Sequence, residues 1–212
     1  MSTEIELKYL VLNENKLSEK DLSEDISTEI SSLLVKEQIR FDYQLKQLGN
    51  CYFDTPELAF RKLDMGLRIR SDNEHLEQTI KTAGVVIGGL HQRPEYNVDI
   101  EQAFPELNLF PEDIWPDKQD TKQLQSELIS LFKTNFTRKI WLVNFQDSVI
   151  EIAFDQGDIR SAGKLIAICE LELEIVSGNA SDLFQLSRLL FARLKLRPGM
   201  ESKAKRGYQL YS

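Results

Sequence analysis

Charged and apolar side chains alternate residue by residue in several short segments of this 212-residue chain. In the first of these segments, Glu4, Glu6 and Lys8 alternate with Ile5 and Leu7. Successive side chains of a β-strand point to opposite faces, so the segment predicts a strand with one ionic face and one apolar face. A chain that repeats this pattern must find an environment for every ionic face, and that requirement restricts its fold.

The same alternation returns along most of the sequence, and each time the charged residues share one face of a predicted strand. These residues are Arg68 and Arg70, Arg93 and Glu95, Glu151 and Asp155, and Glu170, Glu172 and Glu174. For a single strand, the simplest interpretation is the solvent-exposed face of a β-sandwich. Three carboxylates in a row, however, repel one another unless cations lie opposite. We therefore favour a closed barrel with its apolar face outward beneath helices, which would direct the ionic faces into one lumen.

Alternating segments and segments of helical periodicity together predict a mainly β fold with helices packed outside it. Strands are predicted at residues 3–11, 65–71, 74–82, 90–100, 136–146, 148–155 and 165–177, with a further strand leading into Tyr52 and Phe53. Helices are predicted at residues 15–35, about 120–132 and 180–195, and Ser181 is a suitable N-cap for the last of them. Strands continue on both sides of the loop from Pro105 to Pro116, so we expect a single domain over residues 1–212.

The composition argues against several classes of protein. The 34 acidic and 26 basic residues give a net charge of -8, which is unusual for a protein that binds duplex nucleic acid. Two cysteines and two histidines are too few for a thiolate or imidazole metal site, so carboxylates would have to hold any metal. His75 and His91 are accordingly interpreted as polar surface residues. No apolar run approaches the ~20 residues of a membrane helix, and no signal peptide begins the chain, which predicts a cytoplasmic protein without a membrane partner.

The charged residues of the predicted lumen are of two kinds, whose numbers nearly balance. The basic residues are Lys8, Arg68, Arg70, Lys81, Arg93, Arg138, Lys203 and Arg206. The acidic residues are Glu4, Glu6, Glu95, Asp155, Glu170, Glu172 and Glu174. Carboxylates supply the oxygen ligands that Mg²⁺ and Mn²⁺ prefer, while arginine and lysine bind phosphate oxygens. The sequence therefore indicates a site for divalent cations and a chain of phosphates, where positioning and charge neutralisation suffice for phosphoryl transfer.

Several of these segments, in their order along the chain, resemble the CYTH family, also called the triphosphate tunnel metalloenzymes. The matching segments are Glu4–Lys8 with its ExExK signature, Tyr52–Thr55, Leu67–Arg70, Thr79–Thr82, Arg93–Glu95, the strand around Arg138, Asp155, Glu170–Glu172 and Ser202–Lys203. ExExK alone is a weak signal, whereas the ordered series extends from Thr3 to about Tyr208. The resemblance implies a closed eight-stranded antiparallel β-barrel, the triphosphate tunnel, with helices packed outside.

The resemblance also implies two bound Mg²⁺ or Mn²⁺ ions and roles for individual residues. The implied metal ligands are Glu4, Glu6, Asp155, Glu170, Glu172 and Glu174. Within the last three, the matching pair is either Glu170 with Glu172 or Glu172 with Glu174. The implied substrate-binding residues are Lys8, Arg68, Arg70, Lys81, Arg93, Glu95, Arg138, Lys203 and Arg206. The implied catalytic residues are Glu4, Glu6, Asp155 and Lys81.

Within the family, segments such as GGLHQRPEYNV and ICELELE are most similar to bacterial inorganic triphosphatases. The resemblance thus implies metal-dependent hydrolysis of inorganic triphosphate (tripolyphosphate) to pyrophosphate and phosphate. A class IV adenylyl cyclase and a thiamine triphosphatase are alternatives within the same fold. A polyphosphate or nucleotide sensor and a plain β-sandwich with polar faces are the non-enzymatic alternatives. Longer relatives carry a histidine-rich helical domain called CHAD, which we do not expect within these 212 residues.

Overall fold

The computed structural model describes residues 2–72, 75–117 and 119–212. The strands are β1 (Ser2–Val11), β2 (Arg40–Asp54), β3 (Gly66–Asp72), β4 (His75–Lys81), β5 (Val85–Ile87), β6 (Leu90–Asp99), β7 (Ile129–Phe145), β8 (Ser148–Ser161), β9 (Lys164–Ser177) and β10 (Leu196–Pro198). The helices are α1 (Glu19–Lys36), α2 (Ala59–Lys62), α3 (Thr121–Glu127), α4 (Ala180–Phe191) and α5 (Lys203–Tyr211). Two 3₁₀ turns, Leu107–Leu109 and Glu112–Ile114, lie between β6 and α3. Among the residues described, no helix has the length and apolar character needed to cross a membrane.

Eight of the strands in the described part of the chain close into an antiparallel barrel. Their order around the barrel is β1-β9-β8-β7-β2-β3-β4-β6. The ring closes where Ser2–Leu7 of β1 pairs with Leu90–Glu95 of β6. The short strands β10 and β5 pair with β1 and β6. The predicted closed eight-stranded antiparallel barrel is therefore confirmed.

Most of the hydrophobic core lies outside the barrel wall, between the strands and the helices, whereas a smaller cluster around Phe136 and Tyr208 reaches the inside of the barrel. The outward residues Leu7, Trp141 and Leu173 are buried in one cluster with Ile30 of α1 and Leu186 of α4. A second apolar cluster lies around α2, α3 and the two 3₁₀ turns. Since neighbouring residues of a strand point to opposite faces, the ionic side chains of the same strands point inward. The alternative of a sandwich with solvated ionic faces is wrong.

The predicted helix at residues 120–132 is shorter in the structure. α3 ends at Glu127, and the chain from Ile129 onward is already the first part of β7, paired with β2. The apolar spacing in this segment fits a helix, but pairing with β2 buries Leu131 and Phe132 in the barrel. Tertiary packing has therefore overridden the local helical pattern.

The start of α1 and the N-cap of α4 also differ from the prediction. α1 starts four residues later than predicted, after Ser18, whose side chain accepts a hydrogen bond from the backbone N–H of Asp21. α4 starts after Asn179, where the backbone is extended (φ -114, ψ 139), and is helical from Ala180. Ser181 therefore lies inside the first turn, and its prediction as the N-cap is wrong.

The C-terminal helix α5 has no counterpart in the sequence-based prediction. Its Tyr208 hydroxyl donates a 2.8 Å hydrogen bond to the buried carboxylate of Asp54 at the end of β2. The helix packs against β7, β8 and β9. At Gly207 the approach is so close that an added Cβ would lie 2.1 Å from the ring of Phe132. This docking brings the side chain of Lys203 to the interior of the barrel.

Candidate active site

The barrel contains a cavity of about 660 Å³ with many ionic side chains in its wall. Most residues predicted for the site line it, namely Glu4, Glu6, Lys8, Arg68, Arg70, Lys81, Arg93, Glu95, Arg138, Glu172, Glu174 and Lys203. They come from six strands and from α5. They meet because each strand places its charged residues at alternate, inward positions.

Three predicted residues, Asp155, Glu170 and Arg206, do not line this cavity. Asp155 and Glu170 are fully buried. Arg138, which does line the cavity, donates two hydrogen bonds of 2.7 and 2.6 Å to Asp155. Arg206 donates to Glu170. Asp155 and Glu170 therefore do not reach the cavity surface and are paired with basic side chains.

One half of the cavity holds two arginines, and the positive charge of one of them, Arg70, is not balanced by its neighbours. Arg68 and Arg70 project from β3, and Nε of Arg70 donates to Asn50 at 3.0 Å. Burial and the charges of Arg68 and Arg138 lower the pKa of Arg70 to about 10. In the described residues, the buried Nε of Arg68 has no hydrogen-bond acceptor. An anion in this half would relieve the repulsion and supply an acceptor.

The opposite half contains carboxylates that repel one another. Glu6 on β1 pairs with Glu174 on β9, and Glu4 lies two residues away on the same face as Glu6. Burial and the charge of Glu172 raise the pKa of Glu6 to about 7. Burial and the charges of Glu4 and Glu6 raise the pKa of Glu174 to about 8. A divalent cation would stabilise the ionised form of these carboxylates.

Lys81 stands between the two halves. Its ammonium group donates to Glu4 at 2.5 Å and lies 2.8 Å from Glu95. Burial acts against ionisation of Glu95, but the charges of Lys81 and Arg68 outweigh it and lower the pKa of Glu95 to about 2. Glu95 is therefore ionised and held between a lysine and an arginine, at the border of the acidic half.

A second group of carboxylates could also hold a metal ion. Asp155, Glu170 and Glu172 each place an oxygen within 4.8 Å of the others. Lys203 Nζ lies 2.7 Å from Asp155 and 2.8 Å from Glu170 and from Glu172, while Lys8 Nζ lies 2.6 Å from Glu172. Although burial acts in the opposite direction, Lys203 and Lys8 lower the pKa of Glu172 well below its ordinary value. The ammonium groups of Lys203 and Lys8 therefore already compensate the negative charge of these three carboxylates.

His91 and Tyr52 line the cavity although the sequence analysis gave them no role there. The interpretation of His91 as a surface residue is wrong, because it is only 1% exposed, and burial lowers its pKa. Its position two residues before Arg93, on the same face of β6, is the signal that could have identified it. His75 is exposed, as predicted.

Known proteins resemble this chain in sequence and in fold. The chain is 39% identical over 212 residues to the inorganic triphosphatase of Haemophilus influenzae, and it spans 56% of the length of that curated relative. The structure of HpAC1 from Hippeastrum, assigned as an adenylyl cyclase and having a dominant triphosphatase activity, matches with a TM-score of 0.64 at 16% identity, covering 94% of this chain and 92% of that one. A Bacillus halodurans protein assigned as an adenylate cyclase matches with a TM-score of 0.55 at 20% identity, covering 97% and 98%. At these identities the solved structures support the fold alone.

The family follows from a match of the sequence itself. The family model of the CYTH domain matches residues 2–208, almost the whole chain. That range contains every motif of the ordered series, from the ExExK segment of β1 to Ser202–Lys203 at the start of α5. The resemblance drawn from those motifs is confirmed, and this chain belongs to the CYTH domain family.

Proposed function

We propose that this protein hydrolyses inorganic triphosphate to pyrophosphate and phosphate in the presence of Mg²⁺ or Mn²⁺. The observation that carries the proposal is the separation of charge in one cavity, with crowded arginines on one side and crowded carboxylates on the other. A polyphosphate anion and divalent cations are the ligands that balance two such halves together. The similarity to an inorganic triphosphatase supports the same reaction. Because the chain spans 56% of the length of that relative, the reaction must be measured on this chain itself.

Glu4, Glu6, Glu172 and Glu174 are the residues that we propose as ligands of two divalent cations. All four line the cavity, and Oε2 of Glu4 accepts no hydrogen bond from any described residue. A donor set made of carboxylates fits Mg²⁺ and Mn²⁺. We choose Glu172 with Glu174 over Glu170 with Glu172, because Glu170 is fully buried and does not line the cavity. When bound, the cations supply Lewis acidity and neutralise phosphate charge.

The basic half is the proposed site for the phosphates. The guanidinium groups of Arg68 and Arg70 can each bind two phosphate oxygens, whereas ammonium groups act as point charges. Arg138 already donates from Nε and Nη2 to Asp155 and Glu172, so its Nη1 is the group we propose for a phosphate oxygen. The proposed point charges are Lys8, Lys81 and Lys203, and Arg93 is a further proposed phosphate contact. All four residues lie in the cavity wall. Glu95 then acts by holding Lys81, at 2.8 Å, rather than by touching the anion.

The basic side chains of the cavity wall are held in place by three further residues, which we propose as positioning residues: Asp155, Glu170 and Arg206. Asp155 holds the guanidinium of Arg138 through two hydrogen bonds and lies 2.7 Å from Lys203. Glu170 lies 2.8 Å from Lys203 and accepts from Arg206. Long basic side chains lose much rotamer freedom when they bind, so fixing them in advance lowers the entropic cost of binding phosphate.

The reaction needs little covalent chemistry from the protein. The oxygen of a water molecule bonds to a terminal phosphorus as the bridging P–O bond breaks, and pyrophosphate leaves with the bridging oxygen. One proton of the attacking water is released to solvent. The basic side chains hold the phosphates in place and stabilise the negative charge that develops on the leaving group. This assignment agrees with the sequence, which contains no Ser-His-Asp arrangement with spacing suited to nucleophilic catalysis.

The test is a comparison of substrates with the purified chain. Tripolyphosphate, ATP and thiamine triphosphate are incubated separately with Mg²⁺ or Mn²⁺, with a parallel series in EDTA. We expect phosphate release from tripolyphosphate to be fastest and to stop in EDTA. Cyclic AMP formation with negligible release of phosphate from tripolyphosphate would instead identify a cyclase, and tight tripolyphosphate binding without turnover would identify a sensor. The single domain over residues 1–212 and the cytoplasmic location stay predictions from the sequence.

A further inference from the structure

His91 is a buried imidazole in the cavity wall, and both of its nitrogens have partners. Nε2 lies 2.9 Å from the carbonyl oxygen of Gly199, and Nδ1 lies 3.2 Å from Nη2 of Arg93. A carbonyl oxygen only accepts hydrogen bonds and a guanidinium group only donates them. The imidazole is therefore neutral, with its proton on Nε2, and it presents the lone pair of Nδ1 to Arg93.

Arg93 lies between this imidazole and the acidic half of the cavity. Its Nε is 3.8 Å from Oε2 of Glu4, too far for a hydrogen bond. The side chain of Arg93 is 19% exposed and lines the cavity, so it is open to a ligand there. The hydrogen bond to His91 is thus the contact that fixes one end of an otherwise loosely held guanidinium.

We propose that His91 is a positioning residue that orients the guanidinium of Arg93 toward the phosphate oxygens of a bound polyphosphate, an inference that rests on the triphosphate binding proposed above. His91 acts through Arg93 and not on the substrate, because its single N–H is already donated to Gly199. Without the Nδ1 acceptor, the side chain of Arg93 loses its rotamer freedom only when the polyphosphate binds. The affinity for polyphosphate is then lower by that entropic cost.

A purely structural role for His91 would use the other nitrogen. Gly199 donates its own N–H to the carbonyl of Lys8 at 2.9 Å, so the bond from His91 Nε2 could simply fasten the chain around Gly199 to β1. The two roles can be separated by amide side chains. The amide of asparagine is as many bonds from Cα as Nδ1 is, whereas the amide of glutamine is as many bonds away as Nε2.

The experiment compares His91→Asn, which keeps an acceptor for Arg93, with His91→Gln, which keeps a donor for Gly199. We measure tripolyphosphate binding by calorimetry in EDTA, together with KM and kcat in Mg²⁺. His91→Gln should raise Kd and KM roughly tenfold, because a hydrogen bond to a charged group is lost. The kcat should change little, because the orientation of Arg93 stabilises the bound substrate and the transition state equally. His91→Asn should recover most of that loss. His75→Gln is the matched control at an exposed histidine and should bind like the wild type.

Several results would overturn the proposal. One is a His91→Asn variant that binds as weakly as His91→Gln or more weakly, which would assign the effect to the Gly199 contact. Another is a full additional loss when His91→Gln is combined with Arg93→Gln, since His91 would then act independently of Arg93. KM does not depend on the folded fraction, so partial unfolding of a variant leaves the comparison valid. Failure of the wild type to hydrolyse tripolyphosphate would refute the proposed function alone, while failure to bind it would refute both.

Discussion

Replacement of Glu174 by glutamine is expected to stabilise the protein in the absence of metal and to weaken its binding of divalent cations. Glu174 pairs with Glu6 across β1 and β9. Burial and the charges of Glu4 and Glu6 raise its pKa from the ordinary 4.5 to about 8. The carboxylate therefore ionises against an unfavourable field that only a cation would compensate, and glutamine removes that cost.

The size and the pH dependence of the effect follow from the raised pKa. Between pH 4.5 and about 8, folded protein holds a proton on Glu174 that the unfolded chain has lost. The stability that this proton contributes is present in full below pH 4.5 and is lost as the pH rises through about 8. One pKa unit corresponds to about 1.4 kcal/mol, which sets an upper limit of about 5 kcal/mol. Partial exposure of the carboxylate reduces the expected gain at pH 8 to about 2–3 kcal/mol.

Thermal denaturation in EDTA at pH 4.5 and pH 8 measures this gain. The Glu174→Gln variant should melt close to the wild type at pH 4.5 and roughly 5–10 °C above it at pH 8. Added Mn²⁺ should then raise the melting temperature of the wild type more than that of the variant, because the variant has lost a ligand. Glu57→Gln, at an exposed glutamate, is the control and should change neither quantity. A Glu174→Gln variant no more stable than the wild type at pH 8 would refute the reasoning.

Three further substitutions test other parts of the site. Glu4→Gln should lower tripolyphosphate turnover in Mg²⁺ by roughly 100-fold or more, with a much smaller change in calorimetric tripolyphosphate binding; unchanged turnover would remove Glu4 from the metal site. Arg70→Gln should weaken tripolyphosphate binding at least roughly tenfold, and equal affinity would exclude Arg70 as a phosphate ligand. Tyr208→Phe should lower the free energy of unfolding in urea by about 1–3 kcal/mol, because the buried Asp54 loses a 2.8 Å hydrogen bond; an unchanged value would contradict this.

The location of the charged residues could be predicted because the period of a strand is two. Once Arg68 and Arg70 are placed on a strand with Leu67 and Ile69 buried on its other face, both arginines must face the interior of a barrel. The same argument applies to every alternating segment. The argument is independent of strand order, which explains how a sequence without any known contacts identifies most of the charged residues of the cavity wall.

The register between strands could not be predicted in this way. Glu170, Glu172 and Glu174 share one face and are equivalent by periodicity, so the sequence left two pairs open. In the structure Lys8 pairs with Glu172 and Glu6 with Glu174, and our proposal of Glu172 with Glu174 uses this alignment of β1 and β9, which periodicity does not give. The helix predicted at residues 120–132 was too long for a related reason, since the strand β2 that pairs with its last residues is remote in sequence.

Helix α5 has one local signal, the N-cap Ser202, whose side chain accepts a hydrogen bond from the backbone N–H of Lys205, but this signal alone did not identify the helix. Its segment contains Gly207, which lowers intrinsic helix propensity, and its stability comes from contacts that the sequence does not reveal. In the structure, Gly207 is the residue that allows close packing on Phe132, while Tyr208 reaches Asp54. A residue that weakens the isolated helix therefore permits the docking that places Lys203 in the cavity.

Buried charged residues of this protein are of two kinds. Some are compensated by neighbouring side chains of opposite charge, and others have neighbours of like charge and would be compensated by a bound ligand. Asp155 is fully buried, yet Arg138 and Lys203 oppose its charge at hydrogen-bond distance. Breaking such a pair leaves the partner charge uncompensated, so it holds the site together. Glu174 and Arg70 are also largely buried, but their pKa values are shifted toward the neutral form by burial and by neighbours of like charge. Such repulsion in opposite walls of one cavity lowers the free energy of unfolding of the protein without ligands. A cation and an anion bound side by side would restore that stability.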